Sequence, residues 1–203
     1  MQNEIDKLKE KFQEQQKANA EAFATTSGDI GEAMKRSASA LYEAGNTIEQ
    51  SVGLYTAAQT IVQDADVVGT ALKTLSMRLR GTKTDLEAAG LDVDGLASST
   101  SALRGEILAL TNVDIMKSAT EFKSTYEMLQ DLSKVWDKLE ETSRARVLEL
   151  VAGKRMASTV AAIINNFDIA EEVTGLNYSG SALKENEKYL ESINGRIDVL
   201  KAS

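Results

Sequence analysis

Apolar residues recur along most of the chain at intervals of three and four, the spacing that places side chains on one face of a helix. The pattern is sharpest between Gln63 and Thr84, where Lys73, Thr74, Ser76 and Arg80 fall off the apolar stripe. It returns between Phe122 and Leu139 as a stripe of about five turns. Residues expected in the core are Val68, Leu72, Leu75, Leu79, Tyr126, Leu129, Trp136, Val160, Ile163 and Phe167. The spacing predicts amphipathic helices packed against one another.

Glycines and capping residues divide this pattern into short helices. Glycines can adopt the left-handed conformation that ends a helix, and we expect helix termination at Gly45, Gly81 and Gly90. Asp29 with Glu32 has the spacing of a capping box, and a second box starts at either Asn46 or Thr47. The predicted local unit is therefore a helix, a tight joint and another helix.

The helix between Gln63 and Thr84 has charged residues at both ends. Asp64 and Asp66 can accept hydrogen bonds from the free amides of its first turn. Arg78 and Arg80 lie near its last turn, where the helix dipole favours cations. These residues predict a well-delimited helix but no chemistry.

Three regions follow from the pattern. Residues 1–24 form a charged, glutamine-rich helix or tail with little to bury, residues 25–178 form a helical bundle domain, and residues 179–203 form a final helix. The final helix carries a coiled-coil seam of Leu190, Ile193, Ile197 and Leu200. The seam still runs at the last residue, so we expect the natural protein to be longer and the final helix to self-associate.

Composition favours an all-α fold. The 203 residues contain no proline and only 5% aromatic residues, which disfavours turn-rich and β-rich classes. The fold class expected is a multi-helix bundle of short capped helices with a longer, coiled-coil-like C-terminal helix.

Net charge and hydropathy argue against nucleic-acid binding and against a membrane-spanning segment. A formal charge of -8 disfavours direct nucleic-acid readout, because binding to phosphates requires a basic face. No apolar run approaches the ~20 residues of a membrane helix, so we expect no membrane segment in this chain.

Catalytic chemistry has few candidate residues. His and Cys are both absent, which removes the commonest general base and the best transition-metal ligands. Adjacent glutamates at 140–141 and 171–172 point in different directions on a helix, and residues 92–95 (DVDG) lack the glycine and glutamate that would complete a calcium loop. Gly153 is a weak point in the helical pattern, and Lys154 and Arg155 beside it are expected to be ordinary exposed cations. We expect no enzyme activity, no catalytic residue, no metal site and no cofactor.

Five blocks of the chain, in order, resemble the tape measure proteins of long-tailed bacteriophages and prophages of Gram-positive bacteria. They cover roughly residues 29 to 200 and read AGNTIEQSVGLYTAAQTIVQDADVVGTALKTLSMRLRGTKTDLEAAG, ALRGEILALTNVDIMK, FKSTYEMLQDLSKVWDKL, LELVAGKRMASTVAAIINNF and GSALKENEKYLESINGRID. The resemblance implies a minor tail protein that lies inside the tail tube of the virion, helps to set tail length during assembly in the host cytoplasm, and leaves ahead of the DNA.

The resemblance also implies partners among the phage tail proteins, namely the tube, the tail tip or baseplate, and the tail assembly chaperone. Two other interpretations remain open from the sequence. One is a host-encoded coiled-coil interaction or adaptor protein, which would share the charge and the helicity. The other is a tail-associated peptidoglycan hydrolase, for which the chain shows no suitable residues.

Overall fold

A computed structural model describes residues 27–175, and the predicted N-terminal region 1–24 and the seam Leu190, Ile193, Ile197 and Leu200 lie outside them. Within this range the chain forms eight helices: α1 (Ser27–Glu43), α2 (Ile48–Val62), α3 (Ala65–Arg78), α4 (Lys83–Ala88), α5 (Thr100–Thr111), α6 (Thr125–Trp136), α7 (Glu141–Asn165) and α8 (Phe167–Gly175). Residues 27–175 contain no β-strand, only one isolated bridge between Met116 and Phe122. The all-α, multi-helix prediction is confirmed.

Helix α3 is the centre of the bundle, with α1 packed on one side and α7 on the other. The contact with α1 is close because Gly69 has no side chain, and a Cβ there would lie 2.6 Å from the carbonyl oxygen of Ala33. Thr74 and Ser76 are also buried, and the Ser76 hydroxyl lies 2.9 Å from that of Thr125. The prediction that Thr74 and Ser76 fall outside the buried face was wrong, because α3 is covered on two sides.

Helix α2 is buried along its middle, from Gly53 to Gln59, and its main partner is α8. Gly53 allows the close approach, since a Cβ there would lie 2.7 Å from the carbonyl oxygen of Ala170. Tyr55 is fully buried, and its hydroxyl lies 2.7 Å from the Ser37 hydroxyl of α1. Burial raises the pKa of Tyr55 far above its ordinary value, so the phenol stays neutral.

Capping boxes start three of the helices. Thr47 with Gln50 starts α2, which resolves the choice left open with Asn46. The other two boxes are Thr82 with Asp85 and Ser124 with Glu127. A box at Asp29 was a wrong prediction, because α1 already begins at Ser27 and Asp29 lies in its first turn.

The stripe from Phe122 to Leu139 is not one helix. Helix α6 covers only its middle, because Ser124 caps the helix start and the C-cap is Asp137. Phe122 pairs with Met116 in the isolated bridge, and Leu139 lies in the turn before α7. Both side chains still pack against the core, which explains why the periodic spacing extended past the helix ends.

Gly45 and Gly90 have φ values of 75° and 70° and follow the ends of α1 and α4. The prediction of a left-handed Gly81 was wrong, because its φ is not positive and the C-cap of α3 is Leu79 in a right-handed conformation. Gly81 is instead needed for space, since a Cβ would lie 2.8 Å from the Met77 carbonyl oxygen. That oxygen also accepts a hydrogen bond from the Gly81 amide.

Replacing Gly81 by alanine should lower the free energy of unfolding by about 1–3 kcal/mol, because the new methyl group meets backbone that cannot move freely. Gly105→Ala in α5 is the matched control, since a Cβ there meets nothing within 4 Å. The control should raise the free energy of unfolding by up to about 1 kcal/mol, because alanine is the better helix former. Equal changes for the two variants in urea denaturation would show that Gly81 has no special role.

Candidate functional site

The most connected polar residue in the described part of the chain is Arg78, the last residue of α3, whose side chain is only 1% exposed. Its Nε donates to the carbonyl oxygen of Leu150 at 3.0 Å, and its Nη2 donates to that of Glu149 at 3.0 Å. Nη1 donates to the Asp92 carbonyl oxygen at 2.7 Å, and Nη2 also donates to that of Asp94 at 2.8 Å. One guanidinium thus joins α3, α7 and the turn that follows α4.

The α7 carbonyls accept these bonds beside a break in α7 at Gly153, which has φ 67° and ψ 171°. Glu149 and Leu150 belong to the last turn before the break, where carbonyls lack some of their helical partners. The guanidinium also places a positive charge at the negative end of this helical segment. Arg78 therefore caps the first half of α7 from a different part of the chain.

The turn 92–95 supplies two of the carbonyl oxygens that Arg78 binds. The Asp94 amide donates to Asp92 Oδ1 at 2.9 Å, and Gly95 has φ 68°. A Cβ on Gly95 would lie 2.5 Å from the Glu149 side chain, so the turn packs closely against α7. Burial lowers the pKa of Arg78, while the carboxylates of Asp92, Glu149 and Asp94 oppose that shift. The guanidinium therefore stays charged.

Arg80 forms a second connection, between the end of α3 and the loop before α6. Its Nη2 donates to the carbonyl oxygens of Ala44 and Lys123, and its guanidinium carbon lies 5.5 Å from the centre of the Phe122 ring. The prediction that Arg78 and Arg80 simply face the helix dipole was incomplete, because both reach across the bundle.

Asn46 joins the α1–α2 turn to α6, a role that the sequence pattern did not indicate. Its Nδ2 donates to the Leu41 carbonyl oxygen at 2.7 Å, and its Oδ1 accepts from the Tyr126 amide at 2.8 Å. The only signal in the sequence was an asparagine directly after a helix-ending glycine.

A groove of about 440 Å³ lies beside Arg78, between the start of α4 and the segment that leads into α5. Val93, Leu96 and Leu103 supply apolar lining, and Lys83 supplies a positive charge. The residues that line the groove include no His, Cys, Asp or Glu.

The loop between α5 and α6 is held by an ion pair between Arg104 and Asp114. Nε and Nη2 of Arg104 donate to the two carboxylate oxygens at 2.8 and 2.6 Å, and the Met116 amide donates to Oδ1 at 3.0 Å. These bonds lower the pKa of Asp114 from its ordinary 3.8 to about 2, and the bond from Arg104 has the largest effect.

Asp114→Asn should lower the free energy of unfolding at pH 7 by less than about 1 kcal/mol, since Asp114 is 32% exposed. A carboxylate with a lowered pKa in the folded state stabilises the protein above pH 4, and this contribution disappears as the pH falls from about 4 to about 2. Urea denaturation across that range should show the variant and the parent converging. Arg104→Met should cause a similar loss that does not add to it, and fully additive losses would contradict the pairing.

The structure places the ten predicted core residues as follows. Exposure is 6% or less for Val68, Leu72, Leu75, Leu79, Tyr126, Leu129, Trp136, Val160, Ile163 and Phe167. The Tyr126 and Phe167 rings contact each other with centroids 4.9 Å apart. The aromatic side chains of Tyr126, Trp136 and Phe167 thus lie in the interior.

The remaining chemical candidates are on the surface. Lys154 and Arg155 are exposed just after the break in α7, and the glutamates at 140–141 and 171–172 are exposed as well. Across residues 27–175, no group of three or more acidic side chains is arranged to hold a metal ion. Among the helices of the same range, none combines the length and apolar character that crossing a membrane requires.

Comparison with models of protein families identifies the family of this chain. A family model described as "Phage-related minor tail protein" matches residues 5–153, which is most of the chain and includes α1 to α6 and the first half of α7. No solved structure matches the chain. The chain therefore belongs to the phage-related minor tail protein family.

Proposed function

We propose that this protein acts in the phage tail as a tape measure protein, in which the helical bundle is a folded domain. The observation that carries the proposal is the family match over residues 5–153, together with the ordered sequence blocks that resemble tape measure proteins of Gram-positive phages and prophages. The interior of the bundle agrees with a structural role, because its buried polar groups join helices to one another. The role is to occupy the tail tube, help set its length and leave during DNA ejection.

The folded bundle is too short to set the length of a tail by itself. An unbroken helix of 203 residues would span about 300 Å at 1.5 Å per residue. Residues 27–175 instead fold back repeatedly, and α1, α2, α3 and α7 pack side by side. We therefore assign the folded part, within the proposed domain 25–178, to assembly contacts. The helix proposed for 179–203 would lead away from the bundle or pair with another copy.

The proposed partners are other tail proteins: the tube, the tail tip or baseplate, and the tail assembly chaperone. The proposed location is the tail interior of the virion, after assembly in the host cytoplasm. The proposed role is non-enzymatic, and a cell-wall degradation assay on the purified chain should show no peptidoglycan cleavage. Cleavage would favour the hydrolase interpretation instead.

An in-frame deletion of residues 27–175 in the phage genome tests the role in tail length. We expect electron micrographs to show either no tails or shorter tails. The shortening should be less than the ~220 Å that a fully extended helix of this segment would span, because the bundle is folded. Complementation with the intact gene should restore normal tails. Particles with normal tail number and length would contradict a tape measure role and leave a host adaptor as the better interpretation.

A further inference from the structure

The break in α7 is unusual because the residues around it favour a continuous helix. The segment from Glu149 to Ala157 reads ELVAGKRMA, and most of its residues are strong helix formers. It contains no proline, and Gly153 alone departs from helical geometry. Glycine permits a break of this kind, since it tolerates positive φ, but a glycine inside a helix does not require one. Local sequence therefore does not account for the bend.

Contacts from outside α7 do account for it. Arg78 donates to the carbonyl oxygens of Glu149 and Leu150 just before the break. A Cβ on Gly153 would lie 3.2 Å from Arg78 Nη1 and 3.6 Å from Asp92 Oδ2, so both groups lie directly against the break. A cation thus lies at the end of the first half of α7, and a carboxylate lies at the start of the second, which suits both helix dipoles.

We propose that Arg78, with the turn 92–95, is a latch that holds α7 bent, and that its release lets α7 become one continuous helix. The bent state has the four hydrogen bonds of Arg78, and the straight state has the helical hydrogen bonds that the break interrupts. The two states differ at Gly153, at the buried Arg78 and in the packing of the second half of α7, whose Val160 and Ile163 would have to repack. The bundle therefore contains an element that can lengthen without losing its helical structure.

Pulsed electron paramagnetic resonance on the full chain can measure this change. The chain has no cysteine, so nitroxide labels can be attached at Thr142→Cys and Asn165→Cys, two exposed positions at opposite ends of α7. In a continuous helix their Cα atoms would be about 35 Å apart. The parent chain should give a single, shorter distance, because α7 is bent.

Two variants should release the latch, and one should not. Gly153→Ala disfavours the positive φ of the bend and favours helix, and Arg78→Met removes the donors. In both we expect the distance near 35 Å to become the major population, with far-UV circular dichroism showing helicity equal to or above the parent. Gly105→Ala, the control in α5, should leave the distance unchanged.

Two results would overturn the proposal. If both variants remain helical and keep the parent distance, packing alone fixes the bend. If helicity falls and the distance distribution becomes broad, the segment unfolds rather than straightens. Because the measurement uses the purified chain, its outcome is independent of the tail-length experiment.

Discussion

Replacing Arg78 by methionine is expected to lower the free energy of unfolding by about 3–5 kcal/mol. Methionine retains much of the apolar volume but no donor. The carbonyl oxygens of Asp92 and Asp94 would lose their bonds to the guanidinium, and those of Glu149 and Leu150 would lose theirs unless α7 straightens. A buried acceptor left without a partner costs about 1–3 kcal/mol, and a part-buried one costs less because water can replace the donor. Arg78→Lys should recover only part of the loss, because an ammonium cannot reproduce the planar fork. Urea denaturation of the full chain measures the change.

Arg36→Met is the matched control for this prediction. Arg36 donates to Asp66 at 2.6 Å, but the two side chains are 47% and 57% exposed. An exposed ion pair is screened by solvent and contributes little, so the control should have only a small effect. Equal losses for Arg36→Met and Arg78→Met would mean that the buried network contributes no more than a surface pair.

Truncating Leu72 to alanine should lower the free energy of unfolding by about 2–5 kcal/mol. Leu72 lies in the middle of α3, is 0% exposed and belongs to the main core cluster. The loss combines the transfer of a buried side chain with the cavity left in the core, which the packed helices can only partly close. Thermal or urea denaturation gives the value.

The corresponding control is Leu108→Ala in α5, where the leucine is 40% exposed. The same chemical change there should alter the free energy of unfolding by about 0.5 kcal/mol or less. A Leu72 variant as stable as the Leu108 variant would show that α3 is not at the centre of the fold.

Periodic spacing was sufficient to predict an all-α bundle, because burial on a helix is a local property of every third or fourth residue. It could not predict that the stripe from Phe122 to Leu139 spans a bridge, a helix and a turn, since core contact does not require helical geometry. The capping box at Thr47 was one of two local alternatives that only the backbone could separate.

The hydrogen-bond partners of Arg78 could not be predicted from the sequence. Its position near the end of a helix suggested a cation that interacts with the helix dipole, but its partners are 14 to 72 residues away along the chain. Gly153 was recognisable as a weak point in a helical pattern, yet the geometry of the break depends on those distant contacts. The protein family could be inferred from the order of short sequence blocks, whereas the fold alone would not have indicated it.

Quantitative mass spectrometry of purified phage tails, separated from capsids and unassembled protein, tests the central claim most directly. We predict peptides from across residues 27–175 in the tail fraction, at a small and constant copy number relative to the tube protein. Their absence from intact tails, with the protein present only in the cell lysate, would contradict the assignment to the phage tail.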